Sequence, residues 1–220
     1  MLRVAKTENG MVRGLPAADP RITSFKGIPF AAPPVGENRW RAPQPAEDWE
    51  GIKDCLEFKN IPVQDTPGLG TDVYCKEWHV DPEAPMGEDC LYLNIWTPAK
   101  KTDEKLPVLV WYFGGALQWG YPSEMEFDGE RLARRGIIVV SVNYRLGAIG
   151  FMAHPELTKE IDFEPAINEL CSSYKIKEIT IHPPLNEYDI EAVVLYNKGI
   201  IERQLKKCIE MEKESRRINN

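Results

Sequence analysis

The chain has 220 residues, 43% hydrophobic and 28% charged, with a formal net charge of -7 at pH 7. This length and apolar fraction suit one globular domain with a packed core and exclude wholesale disorder and fibrous repeats. The acidic balance disfavours nucleic-acid binding, no apolar run reaches the roughly 18 to 20 residues a membrane span needs, and residues 1–14 lack the apolar core of a signal peptide, so a soluble cytoplasmic protein is expected.

In chain order, residues 2–6 and 11–14 are predicted to form a hairpin around Glu8-Asn9-Gly10, because Asn-Gly supplies the positive φ angles a tight turn demands. Residues 22–30 form a further extended segment, closed by the Pro-rich run 31–36. Residues 62–85 carry many Gly, Pro and Asp with no apolar period and read as a long surface loop. Three apolar runs follow, at 91–96, 106–113 and 137–144. The last two have the continuous β-branched character of strands buried on both faces. Between them, residues 128–136 are predicted to be a helix, with Asp128 as N-cap, cations in the last turn and Gly136 as C-cap. A strand, helix, strand unit of this kind belongs in an α/β sheet with a right-handed crossover.

The composition changes near Glu160. Gly and Pro are frequent up to about residue 155, whereas residues 161–220 hold one Gly and three Pro, and all six Trp lie at or before Trp119. The tail is predicted to contain a short helix at 165–174, a short strand at 178–181 and a long helix at 189–218. The long helix carries an apolar stripe of Ile190, Val193, Val194, Ile201, Leu205, Cys208 and Ile209, and Gly199 within it costs about 1 kcal/mol. Such a stripe packs on its own domain, on a partner protein's helix or in a coiled coil. Lys206, Lys207, Arg216 and Arg217 alternate with Glu210, Glu212 and Glu214, which reads as a solvated face rather than a lipid or RNA patch. The five cysteines never fall in a Cys-x-x-Cys pair and the three histidines lack a neighbour at ligand spacing. Reduced thiols are therefore expected, with neither a disulfide framework nor a metal site, and no cofactor is implied.

Trp111-Tyr112-Phe113-Gly114-Gly115-Ala116-Leu117-Gln118-Trp119-Gly120 follows the second apolar run. A Gly-Gly at that point either simply reverses the chain or lets backbone amides face a cavity without side-chain obstruction, as an oxyanion hole requires.

Several motifs resemble those of the type B carboxylesterases, the group of α/β-hydrolases that includes bacterial esterases, fungal lipases and cholinesterases. They are Phe25-Lys26-Gly27-Ile28-Pro29-Phe30-Ala31-Ala32-Pro33-Pro34-Val35-Gly36 with Arg39-Trp40-Arg41-Ala42-Pro43-Gln44-Pro45 and Trp49, then Glu88-Asp89-Cys90-Leu91-Tyr92-Leu93-Asn94-Ile95-Trp96-Thr97-Pro98. Val142-Asn143-Tyr144-Arg145-Leu146-Gly147 and Gly150-Phe151 follow in the same order as in the family. The resemblance covers residues 1–158 and implies an incomplete α/β-hydrolase sheet preceded by a hairpin. Residues 159–220 form an unrelated, mainly helical tail.

By that resemblance Gly115 and Ala116, in the loop begun by Gly114, donate the oxyanion amides, each worth on the order of 3 kcal/mol in the transition state. Phe113 stands where the family often has a hydrogen-bonding His or Tyr, and Ala116 where it has a third Gly. Arg39 and Glu88 take the place of a structural ion pair, Cys90 that of a half-disulfide whose partner position falls near Pro62, which leaves an unpaired thiol or else a bridge to Cys75, and Arg145 that of an arginine seeking a later carboxylate. His154 lies in a family-like structural turn.

The family's acyl transfer needs Gly-x-Ser-x-Gly followed by an acid and a His, and no Gly-x-Ser-x-Gly occurs in this sequence. Ser172 and Ser173 come late enough for a displaced elbow but lack flanking Gly, and His182 sits beside Pro183-Pro184. No catalytic residue is therefore assigned. The expectation is the oxyanion-hole half of a carboxylic ester hydrolase, acting on a small-molecule ester if completed and inactive alone. The alternatives are a non-catalytic scaffold whose terminal helix recruits a protein partner, and one half of a split esterase. A sheet ending at residue 144 is expected to leave an uncovered face and an unpaired edge.

Overall fold

The computed structural model describes residues 1–65, 81 and 83–152. Eight strands form two sheets. β1 (Val4–Lys6), β2 (Met11–Arg13) and β5 (Ile52–Asp54) make a small sheet in the order β1-β2-β5. β3 (Leu15–Pro16), β4 (Thr23–Pro29), β6 (Tyr92–Thr97), β7 (Val108–Tyr112) and β8 (Ile138–Val142) make a five-stranded sheet in the order β3-β4-β6-β8-β7. Short helices α1 (Glu130–Ala133) and α2 (Gly147–Phe151) complete the frame.

The expected hairpin is present: β1 and β2 pair antiparallel, Val4 opposite Arg13 and Lys6 opposite Met11. β7 and β8 run parallel with α1 between them in sequence, as the strand, helix, strand reading requires. The other neighbours in the larger sheet are antiparallel, so the sheet is mixed. This is a partial α/β-hydrolase architecture.

Alternation along β6 divides the core in two. Trp96 points to one face, where it packs with Ile22, Ala133 and Val139. There α1 approaches so closely that a Cβ on Gly129 would lie 2.7 Å from the Trp96 ring. Leu93 and Ile95 point to the other face, against Val12, Phe25, Ile28 and Cys55, which joins the small sheet to the large one.

Three expectations are corrected. First, the helix predicted over 128–136 is only the single turn Glu130–Ala133, with Gly129 at its N-cap. The Asp128 carboxylate accepts the Glu130 amide at 2.8 Å, as a capping side chain does, but the chain leaves the helix after Ala133 through a turn at 134–136 in which Gly136 has φ 89. Second, β7 is exposed at all five residues rather than buried on both faces: it is the outer strand of the sheet, and α1 packs on β6 and β8. Third, the stretch read as a surface loop from residue 62 begins inside the protein: Pro62, Val63 and Gln64 are buried. The helices and strand predicted after residue 160 lie outside the described residues.

Trp96 is 1% exposed at the centre of its cluster. Trp96→Ala is expected to lower unfolding stability by about 3–5 kcal/mol, measured by denaturant titration, whereas a loss under about 1 kcal/mol would contradict this placement.

Candidate functional site

The loop after β7 has one permitted shape. Gly115 has φ +133, and a Cβ there would sit 2.0 Å from the Trp119 carbonyl oxygen, so no other residue fits. The Gly115 carbonyl accepts both the Gln118 and the Trp119 amides at 3.0 Å, closing the turn on itself. Ala116 and Leu117 inside it adopt left-handed conformations, φ 53 and 61. Each such conformation costs a non-glycine residue about 1–3 kcal/mol and persists only where surrounding contacts impose it.

Those contacts come from three places. At the loop's start, the Tyr144 hydroxyl donates to the Phe113 carbonyl, and the two rings stack with centroids 4.2 Å apart. At its middle, the Gly147 amide at the start of α2 donates to the Leu117 carbonyl at 2.8 Å. At its end, Gln64 holds Gly120 twice: its Nε2 donates to the Gly120 carbonyl at 3.0 Å and its Oε1 accepts the Gly120 amide at 2.9 Å. Gln64 Nε2 also donates to the Pro62 carbonyl at 3.1 Å, in a setting where Gln64 is 0% exposed. Phe113 thus lacks a hydrogen-bonding side chain, yet its ring and carbonyl are both engaged.

Within this frame the Gly115 and Ala116 amides have no hydrogen-bond acceptor among the described residues. Ala116 and Gly114 are exposed and Gly115 partly so. Two adjacent N–H groups held by a strained, braced turn can bind an anion without reorganising first.

Arg39 and Glu88 are brought together. The guanidinium donates twice to the carboxylate, Nε at 2.6 Å and Nη2 at 2.8 Å, with Glu88 buried and Arg39 partly so. The next residue, Trp40, has φ 63 and donates its indole N–H to the Ala148 carbonyl in α2 at 3.0 Å. The N-terminal motif therefore anchors the helix that in turn holds the loop.

A sequence model of the Carboxylesterase family matches residues 2–161. The chain belongs to the carboxylesterase family. It is 41% identical over 157 residues to a fumonisin B1 esterase of Sphingopyxis macrogoltabida, covering 71% of this chain and 27% of that protein. It is 40% identical over 160 residues to a cholinesterase of Mus musculus, covering 69% and 25%. Among solved structures, a carboxylesterase of Geobacillus stearothermophilus matches with a TM-score of 0.56 at 35% identity, covering 68% of this chain and 28% of that one. A PNB esterase matches with a TM-score of 0.60 at 35% identity, covering 71% and 30%. The chain spans between a quarter and a third of the length of these carboxylesterase relatives.

In this carboxylesterase chain Arg145 is half-buried and donates to the Arg41 carbonyl at 3.0 Å, with no carboxylate partner among the described residues. Burial pulls its guanidinium below the ordinary value. Cys90 is a buried free thiol pushed up to about 12, chiefly by burial and then by the charge of Asp89, so it stays protonated and inert. Cys55 is likewise free and buried. Cys75, His79, His154, Ser172, Ser173 and His182 lie outside the described residues. Among the described residues there is no cluster of three or more His, Cys, Asp or Glu able to hold a metal, and no helix long and apolar enough to cross a membrane.

Sequence reasoning missed Gln64 and Tyr144 as supports of the loop. Only the apolar Ile61-Pro62-Val63 before Gln64 hinted that the segment turns inward. Gln64→Leu strands the Gly120 amide and carbonyl in a dry site, at about 1–3 kcal/mol for each group. Denaturant titration is expected to show that loss, and an unchanged midpoint would remove Gln64 from this role.

Proposed function

We propose that the chain carries the oxyanion-binding part of a carboxylic ester hydrolase, with Gly115 and Ala116 as the donors and Gly114 opening the loop. The observation that carries this reading is the braced turn whose two amides have no acceptor among the described residues. Membership of the carboxylesterase family supports it. Attack on an ester carbonyl moves charge onto the carbonyl oxygen, and two N–H donors fixed beforehand stabilise that charge more than they stabilise the neutral ester. The pair Arg39 and Glu88 has a structural role, holding the segment that carries Trp40 against α2. Breaking a buried pair of this kind costs about 3–5 kcal/mol.

The same reading makes the chain inactive by itself. Its sequence contains no Gly-x-Ser-x-Gly, the elbow on which the family's nucleophilic serine stands. Residues 1–158 are taken as the esterase-like portion and 159–220 as a separate segment. The free buried thiols Cys55 and Cys90 support a reducing compartment, the cytoplasm.

Two assays test the proposal. With a p-nitrophenyl ester, the purified chain is expected to give only the buffer rate, and turnover abolished by replacing Ser172 and Ser173 with Ala would overturn the inactivity. For the donor role, residues 1–158 are grafted in place of the matching portion of an active carboxylesterase. Gly115→Ala in that chimera displaces the loop and is expected to lower kcat by about 100- to 1000-fold, the effect of losing an oxyanion donor. An unchanged kcat would remove Gly115 and Ala116 from the reaction.

A further inference from the structure

A cavity of about 230 Å³ lies between the two sheets, at the end of β6 and β8 away from the loop. Thr97 and Ile138 line it, whereas Tyr144, which holds the loop, follows the other end of β8. Its floor is the buried cluster of Val12, Phe25 and Ile28, with Ile95 beside it. Small side chains leave the space: Ala5 stands opposite Val12 in the hairpin, and Ala99 lies in the segment after β6, its carbonyl accepting the Leu2 amide at 3.0 Å.

The rim is polar and held in place. Glu104 Oε1 accepts the Lys100 and Lys101 amides at 2.9 and 3.0 Å, and the Thr97 hydroxyl oxygen accepts the Ala99 amide at 3.1 Å. Lys6 and Lys101 line the cavity and are exposed, and neither ammonium group has a hydrogen bond or ion pair among the described residues. Against these two cations the described lining residues hold a single carboxylate, Glu104, which already accepts two backbone amides.

We propose that this cavity binds a medium-chain monocarboxylate, its alkyl chain against Val12, Phe25, Ile28 and Ile95 and its carboxylate at the rim with Lys6 and Lys101. Apolar walls take up hydrocarbon without breaking a hydrogen bond. A cavity of roughly 150 Å³ already holds benzene, so this one accommodates a chain of about eight carbons. The two ammonium groups select the head: an anion meets both of them, and at an exposed rim it keeps its contact with water and avoids the cost of burying a charge. The inference goes beyond the hydrolase reading and stands without it, because the cavity and the loop lie at opposite ends of β8.

Calorimetric titration of the full chain with butanoate, hexanoate, octanoate and decanoate tests it. One site per chain is expected, with affinity rising about fourfold for each added methylene until the cavity is filled. No saturable binding of decanoate up to millimolar concentration, or an affinity independent of chain length, would overturn the proposal. Decylammonium, of equal length and opposite charge, is expected to bind at least about tenfold more weakly than decanoate, and replacing Lys6→Gln together with Lys101→Gln narrows that gap. Equal or tighter binding of decylammonium to the unsubstituted chain would contradict the assignment of the rim. Ala5→Leu fills part of the space and is expected to lower decanoate affinity at least about tenfold. Methyl resonances of Val12, Ile95 and Ile138 are expected to shift with decanoate while that of Leu117 in the loop stays unmoved, and a shift at Leu117 alone would place the ligand elsewhere and sink the proposal. The chain-length series and the methyl shifts use the unsubstituted protein and decide independently of how any variant folds.

Discussion

The carboxamide of Gln64 meets both backbone groups of Gly120, at 2.9 and 3.0 Å, in a position closed to water. An amide side chain carries a donor and an acceptor side by side, so it can donate to a carbonyl and accept from an N–H of the same residue. Because Gly120 ends the loop that begins at Phe113, this pair of hydrogen bonds fixes where the loop ends. The Tyr144 hydroxyl and the Gly147 amide then fix its start and its middle. With its ends held, the turn closes on the Gly115 carbonyl and drives Ala116 and Leu117 into left-handed conformations. The two amides left without an acceptor among the described residues are thus a consequence of how the loop is held.

The supports come from distant parts of the sequence. Gln64 follows β5, Tyr144 follows β8, and α2 is held in place by Trp40 through the Ala148 carbonyl. Arg39, next to Trp40, is bonded to Glu88 just ahead of β6. Residues from several of the family motifs, Trp40, Tyr144 and Gly147, therefore converge with Gln64 on one loop and the helix beside it. Their spacing in sequence reflects a requirement for convergence in space. Against this well-connected region stands β7, which supplies the loop but has no neighbour on its outer side among the described residues.

Much of this frame was legible in the residues. The hairpin, the three apolar runs that become β6, β7 and β8, and the meeting of Arg39 with Glu88 follow from local pattern and from family resemblance. What was not legible depended on long-range position. β7 and β8 have similar β-branched sequences, yet one is exposed throughout and the other mostly covered, because only the order of strands makes one an edge. Gln64 sits in a stretch whose Gly, Pro and Asp content signals a surface loop. Its burial is decided by Gly120, 56 residues away. The helix after Asp128 shows the same limit on a smaller scale: its start is capped by the Asp128 side chain as the residues suggest, but it lasts only to Ala133.

The most direct test is hydrogen exchange of individual loop amides in the full chain, followed by nuclear magnetic resonance. A loop held open by Gln64 gives a protected Gly120 amide beside rapidly exchanging Gly115 and Ala116 amides, and Gln64→Leu removes the protection at Gly120. Protection of Gly115 and Ala116 equal to that of Gly120 would mean that these amides are bonded within the protein, and would contradict the account.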